Sequence, residues 1–173
     1  MSEMLGNRIV EELEETMGGR TRKLILHIDG AARGNPGPAG IGGTVSDEGG
    51  ELLLEISEYI GETTNNVAEY SALIFTLQSL AKFRGKELRV FSDSELLVQQ
   101  LNGAYKVKNQ TLKTYFGRVK ELLQAYTRVE ILHVAREENA EADKLANEAI
   151  DAFLAGEKGL VTLDAVPEQG QLF

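Results

Sequence analysis

The chain has no cysteine, which excludes a disulfide framework and any thiolate metal site. Proline is scarce, three residues in 173, and no low-complexity segment or internal repeat is present. Long apolar runs are missing too: Leu24–Leu26 and Leu52–Leu54 fall far short of the ~20 residues a bilayer requires, so no membrane partner is expected. The first residues lack the basic start, apolar core and small-residue cleavage site of a secretory signal. A cytoplasmic protein is the expectation. What is present, 42% hydrophobic residues in a chain of this length, suits one domain large enough to bury most of its unfolded surface.

The net charge of −9 argues at first against a polyanionic partner, which basic surfaces usually meet. Its distribution weakens that objection. Residues 1–20 hold five acids and two bases, and residues 151–173 hold four acids and one base. The stretch between them carries 15 bases against 18 acids, a net of −3. Four of those acids form a candidate metal site, described next, which divalent cations would neutralise. Nucleic acid therefore stays in play.

In residues 4–17, Leu5, Ile9, Val10, Leu13 and Met17 form one helical stripe, with Glu11, Glu12, Glu14 and Glu15 on the other face. Gly18 and Gly19 end it. Residues 1–20 thus read as an amphipathic extension, docked on the domain or, alternatively, a means of self-association. From Lys23 the pattern changes. Leu24–Asp29 reads as a buried strand stopped by Gly30, and Gly34–Pro38 as a turn. Gly40–Ser46 and Glu51–Tyr59 read as a hairpin, and Asn65–Ala81 as a helix. Strands are expected at Leu88–Phe91 and Val129–Val134, and helices at Ser94–Leu101, Thr111–Tyr126 and Asn139–Leu154. That order implies an α/β fold with a mixed sheet flanked by helices over residues 21–154. Beyond Gly156 no period is clear, so residues 155–173 are expected to form an extended or mobile tail.

Four carboxylates stand at element boundaries. Asp29 and Asp93 close strands, while Glu69 and Asp143 lie in the first turns of helices. Any one of them reads most simply as a cap or turn residue. As a set they do not, because two acids ending buried strands would be costly unless paired or metal-bound. Carboxyl ends of neighbouring strands also open into the crevice where α/β folds bind ligands.

Four stretches then carry a family resemblance: Asp29-Gly-Ala-Ala-Arg-Gly-Asn-Pro-Gly-Pro-Ala-Gly40, Thr64-Asn-Asn-Val-Ala-Glu-Tyr70, Ser92-Asp-Ser94 with Leu101-Asn-Gly-Ala-Tyr-Lys-Val-Lys-Asn109, and Arg136-Glu-Glu-Asn-Ala-Glu-Ala-Asp143. In order and spacing, over roughly residues 22–150, the chain resembles type 1 ribonuclease H. The resemblance implies a five-stranded mixed sheet and an endonuclease cutting the RNA strand of an RNA–DNA hybrid, leaving 5′-phosphate and 3′-hydroxyl ends. It implies a catalytic metal site of Asp29, Glu69, Asp93 and Asp143. Thr64 and Asn109 match positions that grip a phosphate of the DNA strand. Asn35, Asn65 and Asn66 match positions along the minor groove, where an amide both donates to and accepts from a 2′-hydroxyl. Hard oxygen ligands favour Mg²⁺, with Mn²⁺ as substitute, and two ions would serve the attacking water and the leaving oxygen. No organic cofactor is expected. The alternatives are a non-catalytic hybrid-binding module, whose expected mark is a lost carboxylate, or a related nuclease with another nucleic-acid substrate.

Two departures from the family pattern stand out. Many relatives carry a basic, Trp-containing insertion that holds the hybrid, whereas Leu101–Asn109 runs straight through with only Lys106 and Lys108. Many also have a mobile His-containing loop before the last helix. Here Arg136 stands in its place and is a candidate for phosphate or product contact. His133, ending an apolar strand, reads as a packed histidine, and His27 as structural.

Overall fold

The computed structural model describes residues 21–83 and 86–163, so the helix expected at residues 4–17 lies outside the described residues. Strands β1 (Lys23–Ala32), β2 (Gly37–Ser46) and β3 (Leu52–Thr63) form an antiparallel meander. Helix α1 (Asn65–Ser79) and a 3-10 turn (Ala81–Phe83) follow, then β4 (Glu87–Ser92), which pairs with β1 in parallel. Helices α2 (Glu95–Leu101) and α3 (Gln110–Leu123) lead to β5 (Arg128–His133), parallel to β4. A second 3-10 turn (Arg136–Asn139) opens into α4 (Ala140–Leu154). The sheet order is β3-β2-β1-β4-β5, the five-stranded mixed arrangement that was expected. Among the described residues no helix is long and apolar enough to cross a membrane.

Glycines decide how closely the helices approach. A Cβ on Gly40 or Gly42 would lie 2.2 or 2.0 Å from the carbonyl oxygens of Ala146 and Ala142 in α4. A Cβ on Gly43, pointing the other way, would meet Thr76 of α1 at 3.1 Å. Successive strand residues face opposite sides, so α1 and α4 cover opposite faces of β2. Leu24, Leu26 and Ile28 of β1, with Leu73, Ile74 and Leu77 of α1 and Tyr115 and Val119 of α3, belong to the continuous buried core. Thr64, Ser94 and Asn109 cap α1, α2 and α3 by accepting from backbone N–H groups three residues on.

One expectation needs correction. Gly30 does not stop β1, which runs on to Ala32. It serves packing instead: a Cβ there would lie 2.2–2.4 Å from the backbone of Ala68 and Glu69, so its absence lets α1 press against the strand. In the tail, the described residues up to Leu163 take the extended one of the two forms expected. Val161 N donates to Tyr59 O at 2.9 Å, Lys158 Nζ reaches Ser57 O and Glu58, and Leu163 is buried. From Leu160 the chain runs beside β3, the partner its lack of periodicity could not reveal.

Candidate active site

Asp29 lies on β1, Glu69 in the second turn of α1, and Asp93 where β4 gives way to α2. One carboxylate oxygen of each lies within 4.8 Å of the other two. The approach of α1 at Gly30 is what brings Glu69 to Asp29. The Gly30 N–H donates to both Asp29 Oδ1 (3.0 Å) and Glu69 Oε2 (3.2 Å). Asp29 and Glu69 are almost wholly buried, at 4% and 7% exposure.

Such crowding opposes ionisation. Burial, and then the adjacent Asp93 charge, push the Asp29 carboxyl up to about 8. Burial and the Asp29 charge raise Glu69 well above the usual carboxylate range. Without a cation, burial and mutual repulsion favour a proton held by the pair. A divalent cation would replace that proton, and three converging hard oxygens suit one. The donor set therefore fits a metal ion.

Asp143 lies outside this trio but shares a hydrogen bond with the Asp29 carboxyl. It projects from α4 into the same cleft of about 600 Å³, with its side chain 33% exposed, and its charge reaches Asp29. Arg136 Nη2 lies 3.9 Å from Asp143 Oδ1 and is 79% exposed, at the mouth of the cleft. His133 is not packed as expected. Its ring is exposed on the cleft wall, with Nε2 3.2 Å from the Asp93 carbonyl oxygen, because β5 is an edge strand whose last side chains nothing covers. His27 is structural, half-buried and stacked on Phe91 at 4.9 Å.

The amides lie alongside. Asn65 and Asn66 line the cleft, and Asn66 also lines a second pocket of about 150 Å³ with Asn35, Thr64 and Asn109. Asn35 Oδ1 accepts from Asn65 N, and Asn65 Oδ1 accepts from Ala32 N, both at 3.1 Å, stitching the β1–β2 turn to the start of α1. Thr64 and Asn109 are the capping residues of α1 and α3, so two helix N-termini open onto this pocket and favour an anion.

Sequence reasoning missed three residues. Arg33 and Asn147 line the cleft, and Asn139 is 1% exposed, donating from Nδ2 to Ile28 O at 2.8 Å to tie the start of α4 to β1. Only Asn147 left a trace, four residues after Asp143 and hence on the same helix face.

Comparison with known proteins decides the family. The sequence model described as "Reverse transcriptase-like" matches residues 27–149. Ribonuclease HI of Halobacterium salinarum is 39% identical over 143 residues, spanning 83% of this chain and 70% of that protein. The chain belongs to the type 1 ribonuclease H family. A bifunctional protein of Mycobacterium tuberculosis is 40% identical over 131 residues, which are 75% of this chain but 36% of the longer relative. The crystal structure of LC11-RNase H1 in complex with an RNA/DNA hybrid superposes with a TM-score of 0.73 at 50% identity, covering 76% of this chain and 99% of that one. In keeping with the absence of the ribonuclease H insertion, residues 102–109 connect α2 directly to α3.

Proposed function

We propose that this ribonuclease H is an endonuclease that hydrolyses the RNA strand of RNA–DNA hybrids, leaving 5′-phosphate and 3′-hydroxyl ends. The observation that carries the reading is the trio of Asp29, Glu69 and Asp93 within 4.8 Å, beside a wall of asparagine amides. Asp29, Glu69, Asp93 and Asp143 are the residues to hold Mg²⁺, or Mn²⁺ in its place. Bound there, such ions acidify a water molecule and neutralise charge on the leaving 3′ oxygen.

The chain's own groups do the rest. Asn65 and Asn66 meet 2′-hydroxyls and base edges of the RNA strand, offering donor and acceptor together. Asn35, Thr64 and Asn109 take a phosphate of the DNA strand, using the helix N-termini of α1 and α3. Asn66 lines both pockets, so it ties the grip on one strand to the chemistry on the other. Arg136, at the cleft mouth, contacts the phosphate or the departing product. A cytoplasmic location belongs to the same reading, and no organic cofactor is needed.

The test offers the purified chain end-labelled RNA–DNA hybrid, duplex DNA and duplex RNA side by side with Mg²⁺. Cutting confined to the RNA strand of the hybrid is expected. Binding of the hybrid without cutting would favour the binding-module alternative. Preferential cutting of either homoduplex would reassign the substrate.

A further inference from the structure

Asp143 is the outlier among the four carboxylates. Asp29 and Glu69 are fixed by burial and by a shared backbone donor, whereas Asp143 is a third exposed on a helix surface, where several staggered side-chain conformations compete. Something must select one of them. Arg136 does so poorly, being 3.9 Å away and mostly in solvent, and the Asp29 carboxyl can do so only while it carries a proton, which a bound cation would displace.

Asn147, one turn along α4, is better placed. Its Nδ2 donates to Asp143 O at 3.0 Å and lies 3.4 Å from Asp143 Oδ1. Its own orientation is not free. Arg33 Nη2, at the end of β1, donates to Asn147 O at 3.3 Å and Oδ1 at 3.5 Å. A guanidinium only donates, so the amide oxygen must face Arg33 and the NH₂ must face Asp143. Arg33 is in turn anchored by Asp151, with Nη1 to Oδ1 at 2.7 Å. The result is a directional chain, Asp151–Arg33–Asn147–Asp143, in which each member dictates how the next is presented.

We infer that Asn147 is a positioning residue, held in register by Arg33 and Asp151, that fixes the Asp143 carboxylate for its part in the metal site. The inference rests on the ribonuclease H reading above. It separates what Asn147 does from what a merely packed helix residue would do, because loss of the amide changes the direction of one carboxylate and leaves the trio and the hybrid-binding wall alone.

Asn147→Leu is the informative variant, since leucine favours a helix more than asparagine does and so spares the fold. Expected is a fall in kcat and a rise in the Mg²⁺ concentration for half-maximal rate, each about tenfold, the low end of what residues orienting metal ligands usually contribute. KM for the hybrid should stay put. Asn147→Gln, which keeps the amide, should recover part of the loss, and Asp151→Asn should reproduce a smaller share of it. Independently of cleavage, the side-chain NH₂ resonances of Asn147 in metal-free protein should shift in Asp143→Ala and in Asp151→Asn. If parent protein fails to cleave, the functional reading falls while those resonances still decide the positioning. Unchanged resonances in both variants, or a folded Asn147→Leu with parental kcat and Mg²⁺ requirement, would overturn the inference.

Discussion

The cleft around Asp29 and the smaller pocket around Thr64 and Asn109 are built on the same helix start and share Asn66, yet they call for opposite partners. The first gathers charged side chains where burial and mutual repulsion resist their ionisation. The second is lined by uncharged polar side chains, Val67 and Leu112, with α1 and α3 both beginning there. One site stores unfavourable electrostatics that a divalent cation relieves; the other offers backbone dipoles that an anion satisfies without any lysine. In a chain with net charge −9, this arrangement would let a polyanion dock through local dipoles and bound cations, with exposed Lys106, Lys108 and Lys113 flanking Asn109 in sequence.

Exchanging one charge in the first site should give the largest effect. Asp93→Asn keeps the side chain's shape at a half-buried position, so the fold should persist while single-turnover cleavage falls about 10³-fold, the scale of losing a preorganised electrostatic contact. Hybrid affinity in the same assay should barely change, because the second pocket is intact. Wild-type turnover at saturating Mg²⁺ would remove Asp93 from the site.

Next in size is the double variant Thr64→Ala, Asn109→Ala. Here KM should rise about tenfold, a loss on the scale of one hydrogen bond to a charged group, with kcat little changed. Each substitution also removes a helix cap, so a lower Tm, reflecting about 1 kcal/mol per site, should accompany it. A loss confined to kcat would break the division of labour between the pockets.

The smallest effect concerns stability. Asp29 has a folded-state pKa of about 8 against 3.8 for the unperturbed group, so the folded protein binds a proton that the unfolded chain releases. Its contribution to stability is fully present below pH 3.8 and is lost as pH rises to about 8. In metal-free protein, Asp29→Asn should therefore raise Tm at pH 8 relative to the parent, and the advantage should shrink toward pH 4. Thermal melts in EDTA at the two pH values check it. A variant less stable than the parent at pH 8 would show that the buried carboxylate is not under strain.

The catalytic half of the molecule was far more legible in the sequence than its surroundings. Asp29, Glu69 and Asp93 stand where a carboxylate interrupts an apolar pattern, and that anomaly survives in one dimension. The phosphate-binding role proposed for Thr64 and Asn109, and the groove contact proposed for Asn35, came only through the family resemblance, because asparagine and threonine at turns and caps are common for local reasons. Gly30 misled, since a glycine that ends a strand and one that admits a helix look alike until the packed neighbour is known. His133 misled because the apolar run preceding it gave no sign that β5 would be an edge. The pairing of Arg33 with Asn147 joins residues 114 positions apart, and no local spacing encodes such a contact. The docking of residues 157–163 on β3 was hidden for the same reason.

The most direct test is the initial rate of hybrid cleavage as Mg²⁺ is returned to protein stripped with EDTA. No cutting in EDTA, followed by a saturable rise restricted to the RNA strand and reproduced by Mn²⁺, is the expected result. Cleavage that persists undiminished in EDTA, or none with either ion while the hybrid still binds, would contradict a divalent-cation site at Asp29, Glu69, Asp93 and Asp143.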